Sequence, residues 1–129
     1  MIDNKVIVVD VDGTLAAERL PGQSYSDIPP IESMREKLVD LKKAGWRIVL
    51  YSSRSMRTYQ GNIGEINVHA APVLIDWLNK HQVPHDELHF GKPWCGFDGF
   101  YVDDRAIRPR ELLTLSLAEI ASLIEQDKV

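Results

Sequence analysis

Apolar residues in this chain come either in short unbroken runs or at the spacing of one helix face, and the two patterns alternate. Val6 to Val9 form a run without polar alternation, which suits a strand covered on both faces in the middle of a parallel sheet. Trp46-Arg-Ile-Val-Leu-Tyr51 reads as a second buried strand, and between the two Ile31, Met34, Leu38 and Leu41 recur at helical spacing before a helix-ending glycine, Gly45. The order strand, helix, strand predicts a right-handed parallel crossover. Pro72 suits the first turn of a further helix with Leu74, Trp77, Leu78 and His81 on its apolar face, the histidine satisfied locally at the helix end. Glu87–Phe90 and Gly99–Val102 read as a third and a fourth strand, the fourth lying on the other side of the first. The linker between them, Gly91 to Asp98, is too short for a helical crossover, so either it is extended and passes across the sheet, the favoured reading, or one of these short strands is antiparallel. Arg108-Pro109 opens a short helix through Leu113, and Ser116 with Glu119 makes a capping box for a last helix with apolar positions at Leu117, Ile120, Ala121 and Ile124. Two long polar connections, 16–30 and 53–70, leave the ends of the first two strands; loops of that length in a compact domain are usually functional or disordered.

This order predicts an α/β fold, a Rossmann-like three-layer sandwich with a mainly parallel central sheet, as a single domain over 1–129. The chain's 129 residues suffice for a real core without staples. A net charge of -4 argues against general electrostatic binding of nucleic acid, which needs a basic face. One cysteine, Cys95, rules out an internal disulfide framework and fits a reducing compartment. No apolar stretch is long enough to span a bilayer, and the start Met-Ile-Asp-Asn-Lys lacks a signal-peptide profile, so the expected location is the cytoplasm, with no membrane partner.

The candidate chemistry lies where the apolar runs stop. The first ends in Asp10-Val-Asp12-Gly13-Thr14 and the fourth predicted strand ends in Asp103-Asp104. If the two strands are parallel neighbours, up to four carboxylates share a small volume. Two unit charges about 4 Å apart repel by roughly 4 kcal/mol at an effective dielectric near 20, so such a cluster implies a cation. Hard oxygen ligands point to Mg²⁺ rather than zinc. Asp10, Asp12 (through its backbone carbonyl), Asp103 and Asp104 are the expected metal ligands. Ser52, or Ser53 one place on, closes the second strand, and Lys92 follows the third. A carboxylate nucleophile, a second carboxylate two residues on, a hydroxyl, an ammonium group and metal-binding acids together equip a site for phosphoryl transfer. Asp10 would attack phosphorus, Asp12 would protonate the leaving alkoxide and later deprotonate water, and Ser52 and Lys92 would hold phosphoryl oxygens. Ser53, Arg54, Arg57, His69 and Trp94 are the candidates for contacts to the substrate beyond its phosphate.

With those residues in that order, the chain resembles the haloacid dehalogenase superfamily of aspartate-nucleophile phosphatases. Asp10-Val-Asp12-Gly13-Thr14 matches its first motif, Ser52 its second, Lys92 its third and Asp103-Asp104 its fourth. The phrases Tyr51-Ser-Ser-Arg54, Arg57-Thr-Tyr59, Gly91-Lys-Pro-Trp94 and Phe100 to Arg105 look like a small branch without a cap domain, associated with capsule and polysaccharide biosynthesis. The resemblance implies a Mg²⁺-dependent phosphomonoester hydrolase acting on a small phosphorylated sugar or related metabolite. Without a cap, the two long loops are expected to give partial cover, and a neighbouring subunit in a homo-oligomer would complete it. A nucleic-acid 3′-end phosphatase would use the same machinery but would want a basic groove. A silent phospho-ligand-binding domain would be marked by loss of Asp10 or Asp12, and both are present.

Overall fold

The computed structural model describes residues 5–127 of the chain. They form an α/β protein whose three strands make one parallel sheet in the order β1 (Val6–Asp10), β2 (Arg47–Ser52), β3 (Glu87–Phe90). Five α-helices accompany it among the described residues: α1 (Glu32–Lys43), α2 (Ile63–His69), α3 (Ala71–Lys80), α4 (Pro109–Thr114) and α5 (Leu117–Gln126). Two compact units result, one running to Trp94 and containing the sheet, the other beginning at Cys95 and containing α4 and α5.

In the first unit the sequence pattern and the structure agree closely. Met34, Leu38 and Leu41 are the buried face of α1. The helix closes in a Schellman turn: Trp46 N–H donates to Leu41 O at 3.0 Å and Gly45 N–H to Lys42 O at 3.1 Å, with Gly45 at φ +94°. β2 enters directly from that turn. Leu74, Trp77 and Leu78 are the buried face of α3, and the Trp77 indole N–H donates to Ile28 O at 2.7 Å, tying the long connection 16–30 to the helix. His81 stands at the end of α3 with its ring against Trp77. Its Nε2 is buried with no hydrogen-bond partner among the described residues, so the local satisfaction expected of it is absent.

The sheet has one apolar face. Register places Ile7 and Val9 beside Ile48 and Leu50, and Ile48 and Leu50 are fully buried. The opposite face carries Val6, Val8, Arg47, Tyr51, Glu87 and His89. There Arg47 and His89 each bond Glu87 at 2.9 Å, and Val8 is 62% exposed. The expectation that the first strand is covered on both faces therefore fails for Val6 and Val8, which are exposed, and β1 is the edge of this sheet and not its middle.

The predicted fourth strand is missing among the described residues. Residues 99–102 form no strand, and Phe100 and Val102 are 79% and 87% exposed. A short apolar run becomes a strand only by pairing, and strand propensity is too dependent on context to impose it. α4 and α5 begin as the sequence predicts. Ser116 Oγ accepts from Glu119 N–H at 3.1 Å and Glu119 Oε1 from Ser116 N–H at 2.8 Å, a reciprocal cap whose backbone bond holds the Glu119 carboxyl below its ordinary pKa. α2 is an addition, lying in a stretch whose polarity and glycines suggest a loop. Its local signal is the cap, Asn62, which accepts from Glu65 N–H at 3.2 Å. Among the described residues no helix is long and apolar enough to cross a membrane.

Candidate functional site

Because the three strands are parallel, their carboxyl ends lie at one edge of the sheet, and the sequence puts a chemical group at each. Asp10 closes β1 and Ser52 closes β2. Lys92 follows β3, and its backbone N–H donates to Ser52 O at 3.3 Å, carrying the ladder just past the strand. Gly91 makes that step possible. It sits at φ +93°, in the left-handed region, and a Cβ there would lie 2.7 Å from Ile63 Cδ1, so any other residue is strained and must push the Ile63 side chain aside.

Beyond Asp10 the chain folds back at once. The Val11 carbonyl accepts the N–H groups of Thr14, Leu15 and Ala16 at 3.2, 2.9 and 3.0 Å, while Val11 and Leu15 are fully buried. That knot places Asp10 and Asp12 at the same strand end with distinct partners. Asp10 accepts from Lys92 Nζ through Oδ1 at 3.2 Å and from the Thr14 hydroxyl through Oδ2 at 3.1 Å. Asp12 accepts from the Ser52 hydroxyl through Oδ2 at 3.0 Å, and from Arg54 Nε and Nη2 through Oδ1 at 3.2 and 2.7 Å. Ser52 is fully buried, and its Oγ also accepts from Arg54 N–H at 2.9 Å. Each carboxylate thus has a cation and a hydroxyl. Charge-assisted bonds of this kind are the strong ones, and they hold both acids in defined orientations.

Of the residues predicted from sequence, Asp10, Asp12, Ser52, Lys92 and Arg54 are therefore brought together. Ser53 is half-buried beside them, but it is the Ser52 hydroxyl that reaches Asp12. Arg54, expected on the open side as a substrate contact, is only 4% exposed and lies between Asp12 and the ring of Tyr25, with its guanidinium carbon 4.1 Å from the ring centroid. Arg57 and His69 are exposed on the connection after β2 and on α2, with His69 stacked on Tyr59 at 5.4 Å. Trp94 is 43% exposed at the end of the first unit. Asp103 and Asp104 are exposed in the second unit, where Asp103 Oδ1 accepts from Arg105 N–H at 2.8 Å.

Two participants are not evident from sequence reasoning. Thr14 belongs to the acidic motif at the end of the first strand, and its hydroxyl four residues after Asp10 is the available clue. Tyr25 offers none, being one aromatic in a polar connection. Among the described residues, no group of three or more His, Cys, Asp or Glu side chains stands close enough to hold a metal ion.

No protein-family model matches the chain, and no curated protein matches it. Among solved structures, a crystallised structural-genomics target from Vibrio cholerae is similar at 47% identity and a TM-score of 0.90, over 96% of this chain and 99% of that one. The chain belongs to the same family as that protein.

Proposed function

We propose that this protein is a Mg²⁺-dependent phosphomonoester hydrolase of the haloacid dehalogenase type, without a cap, that works through an aspartyl phosphate on a phosphorylated sugar or related small metabolite. The observation that supports it is the pairing of each carboxylate at the end of β1 with its own cation and hydroxyl, Asp10 with Lys92 and Thr14, Asp12 with Arg54 and Ser52.

A carboxylate ordinarily repels a phosphate dianion. Lys92 offsets that repulsion beside Asp10 and brings positive charge to the place a phosphate must approach. Held from both sides by Lys92 and Thr14, an oxygen of Asp10 attacks phosphorus, and the bond from phosphorus to the alkoxide breaks. Asp12, in its protonated form, gives its proton to that alkoxide as it leaves. The Asp12 carboxylate then takes a proton from water, whose oxygen attacks the phosphorus of the aspartyl phosphate and releases inorganic phosphate and Asp10. The Ser52 hydroxyl donates to Asp12 in the free protein and turns to a phosphoryl oxygen when substrate is bound.

The Asp10 carboxylate and the Asp12 carbonyl are hard oxygen donors, and Mg²⁺ commonly takes one or two carboxylates while keeping several waters, so the end of β1 fits that ion. Bound there, Mg²⁺ would neutralise charge on nucleophile and phosphate alike. Asp103 and Asp104 are the further acids that the sequence offers for it. Arg57, His69 and Trp94 remain the candidates for recognising the rest of the substrate.

The test is hydrolysis of p-nitrophenyl phosphate with and without Mg²⁺, together with acid-quench trapping of the phosphoryl group. Phosphate bound covalently at Asp10 and loss of all turnover in Asp10→Asn are the expected results. Undiminished activity in that variant would remove the nucleophile from the mechanism.

A further inference from the structure

The buried guanidinium of Arg54 is an expensive way to bind part of a substrate, because a side chain only 2% exposed has little surface to offer one. Its contacts face inward. Nε and Nη2 both donate to Asp12 Oδ1, at 3.2 and 2.7 Å, and the residue's own backbone N–H donates to the Ser52 hydroxyl, which donates in turn to Asp12 Oδ2. Both oxygens of Asp12 are thus fixed by one short segment, Ser52 to Arg54. Nη1 is buried without a hydrogen-bond partner among the described residues, a sacrifice that packing alone does not explain.

What holds Arg54 in turn is the long connection after the first strand. Tyr25 lies in the 3₁₀ turn Tyr25–Asp27, with its ring 4.1 Å from the guanidinium carbon of Arg54 and 5.0 Å from that of Arg19. The connection is pinned at its far end, where Ile28 is 1% exposed and its carbonyl accepts from Trp77. Its two ends are tied by Ile31 N–H on Leu15 O at 2.7 Å and Ala17 N–H on Pro29 O at 3.0 Å. It is a docked strap whose one aromatic tip lies on the cation that grips Asp12.

Resting on the phosphatase reading above, we infer that Arg54 is a positioning residue for the acid–base group, clamped on Asp12 by Tyr25, and that the strap 16–30 thereby governs proton transfer rather than phosphate binding. Proton donation matters only where the leaving group is a poor one. Loosening Asp12 therefore harms the transfer from an alkyl ester and largely spares transfer from an ester of an acidic phenol.

The experiment compares kcat/KM for an alkyl phosphate and for p-nitrophenyl phosphate in the wild type, Arg54→Met, Arg54→Lys and Tyr25→Leu. Because kcat/KM stops at the first irreversible step, it reports leaving-group departure without the later attack of water. For Arg54→Met the alkyl ester should lose on the order of 100-fold, the scale of general acid catalysis, while the nitrophenyl ester loses less than about fivefold. Competitive inhibition by inorganic phosphate should stay within about twofold, because uniform binding is untouched. Arg54→Lys, which keeps the charge but not the fork, should show the same selective loss. Tyr25→Leu should show it at about tenfold, the upper range of one cation–aromatic contact. Equal losses on both esters, or weaker phosphate inhibition, would make Arg54 a phosphate contact and overturn the inference. Should Arg54→Met not fold, judged by its thermal melt, Tyr25→Leu decides between the same two outcomes. Absence of wild-type turnover, or activity surviving in Asp10→Asn, defeats the phosphatase reading and this inference with it; a normal wild type with equal losses in the variants defeats this inference alone.

Discussion

Thr14 shows how much depends on one hydroxyl at the end of β1. Its Oγ1 holds the Asp10 oxygen that Lys92 does not, so Thr14→Val frees the carboxylate to rotate without changing the charge of the site. Turnover of p-nitrophenyl phosphate should fall about tenfold, the scale of one hydrogen bond to an ionised group, with the melting temperature nearly unchanged. Lys92→Met removes the cation itself and should cost about 100-fold or more in kcat, as loss of a preorganised charge does. Lys92 reaches the same Asp10 from just past β3, where Gly91 takes a left-handed φ that strains any other residue. At this scale the acids are plain in the sequence because each interrupts an apolar run. Their partners are harder to see, since Thr14, Ser52 and Arg54 are ordinary polar residues until the fold supplies their neighbours.

At the scale of elements, stability and catalysis separate. The Schellman turn after α1 is open around Gly45, with nothing within 4 Å of the place a methyl group would take, so Gly45→Ala should cost about 1 kcal/mol from backbone conformation alone. A denaturant melt reads it, and the activity of the folded protein should not change. Asp86 ties α1 to the sheet: its Oδ2 accepts from Ile48 N–H at 2.8 Å and its Oδ1 from Lys42 Nζ at 2.5 Å. The backbone bond from Ile48, then Lys42, hold its carboxyl below the ordinary range. A depressed folded-state pKa means stability that is present above the unfolded value, about 3.9, and is lost as pH falls through the folded one. Asp86→Asn should therefore be less stable by about 1 kcal/mol at neutral pH, and the gap to the wild type should close below about pH 4. Helix faces are the most legible elements, as Met34, Leu38, Leu41, Leu74, Trp77 and Leu78 all lie where periodicity puts them. α2 is hard to read because it is short, and Gly99–Val102 misleads because it has the apolar content of a strand without a partner.

For the whole molecule, the second unit carries the remaining test. Asp103 and Asp104 are exposed there, and under the proposed mechanism they serve the same Mg²⁺ as Asp10. Asp103→Asn should raise the Mg²⁺ concentration for half-maximal activity about tenfold or more, as loss of a group supporting a metal does, with Asp104→Asn following in the same direction. Titrating activity with Mg²⁺ after chelation checks it, and an unchanged midpoint in both variants would release these acids from the proposed site. What the sequence determined by itself was local: three of the strands and the longer helices, where the chain turns, and which positions bear charge at a strand end, since these follow from periodicity, capping and backbone allowance over a few residues. What the tertiary structure decided was pairing, namely that Ser52 and Arg54 grip Asp12, that Lys92 and Thr14 grip Asp10, and that Tyr25 closes over Arg54. Those contacts join residues up to 82 positions apart, and no local rule fixes them because they exist only once the parallel strands have aligned their ends.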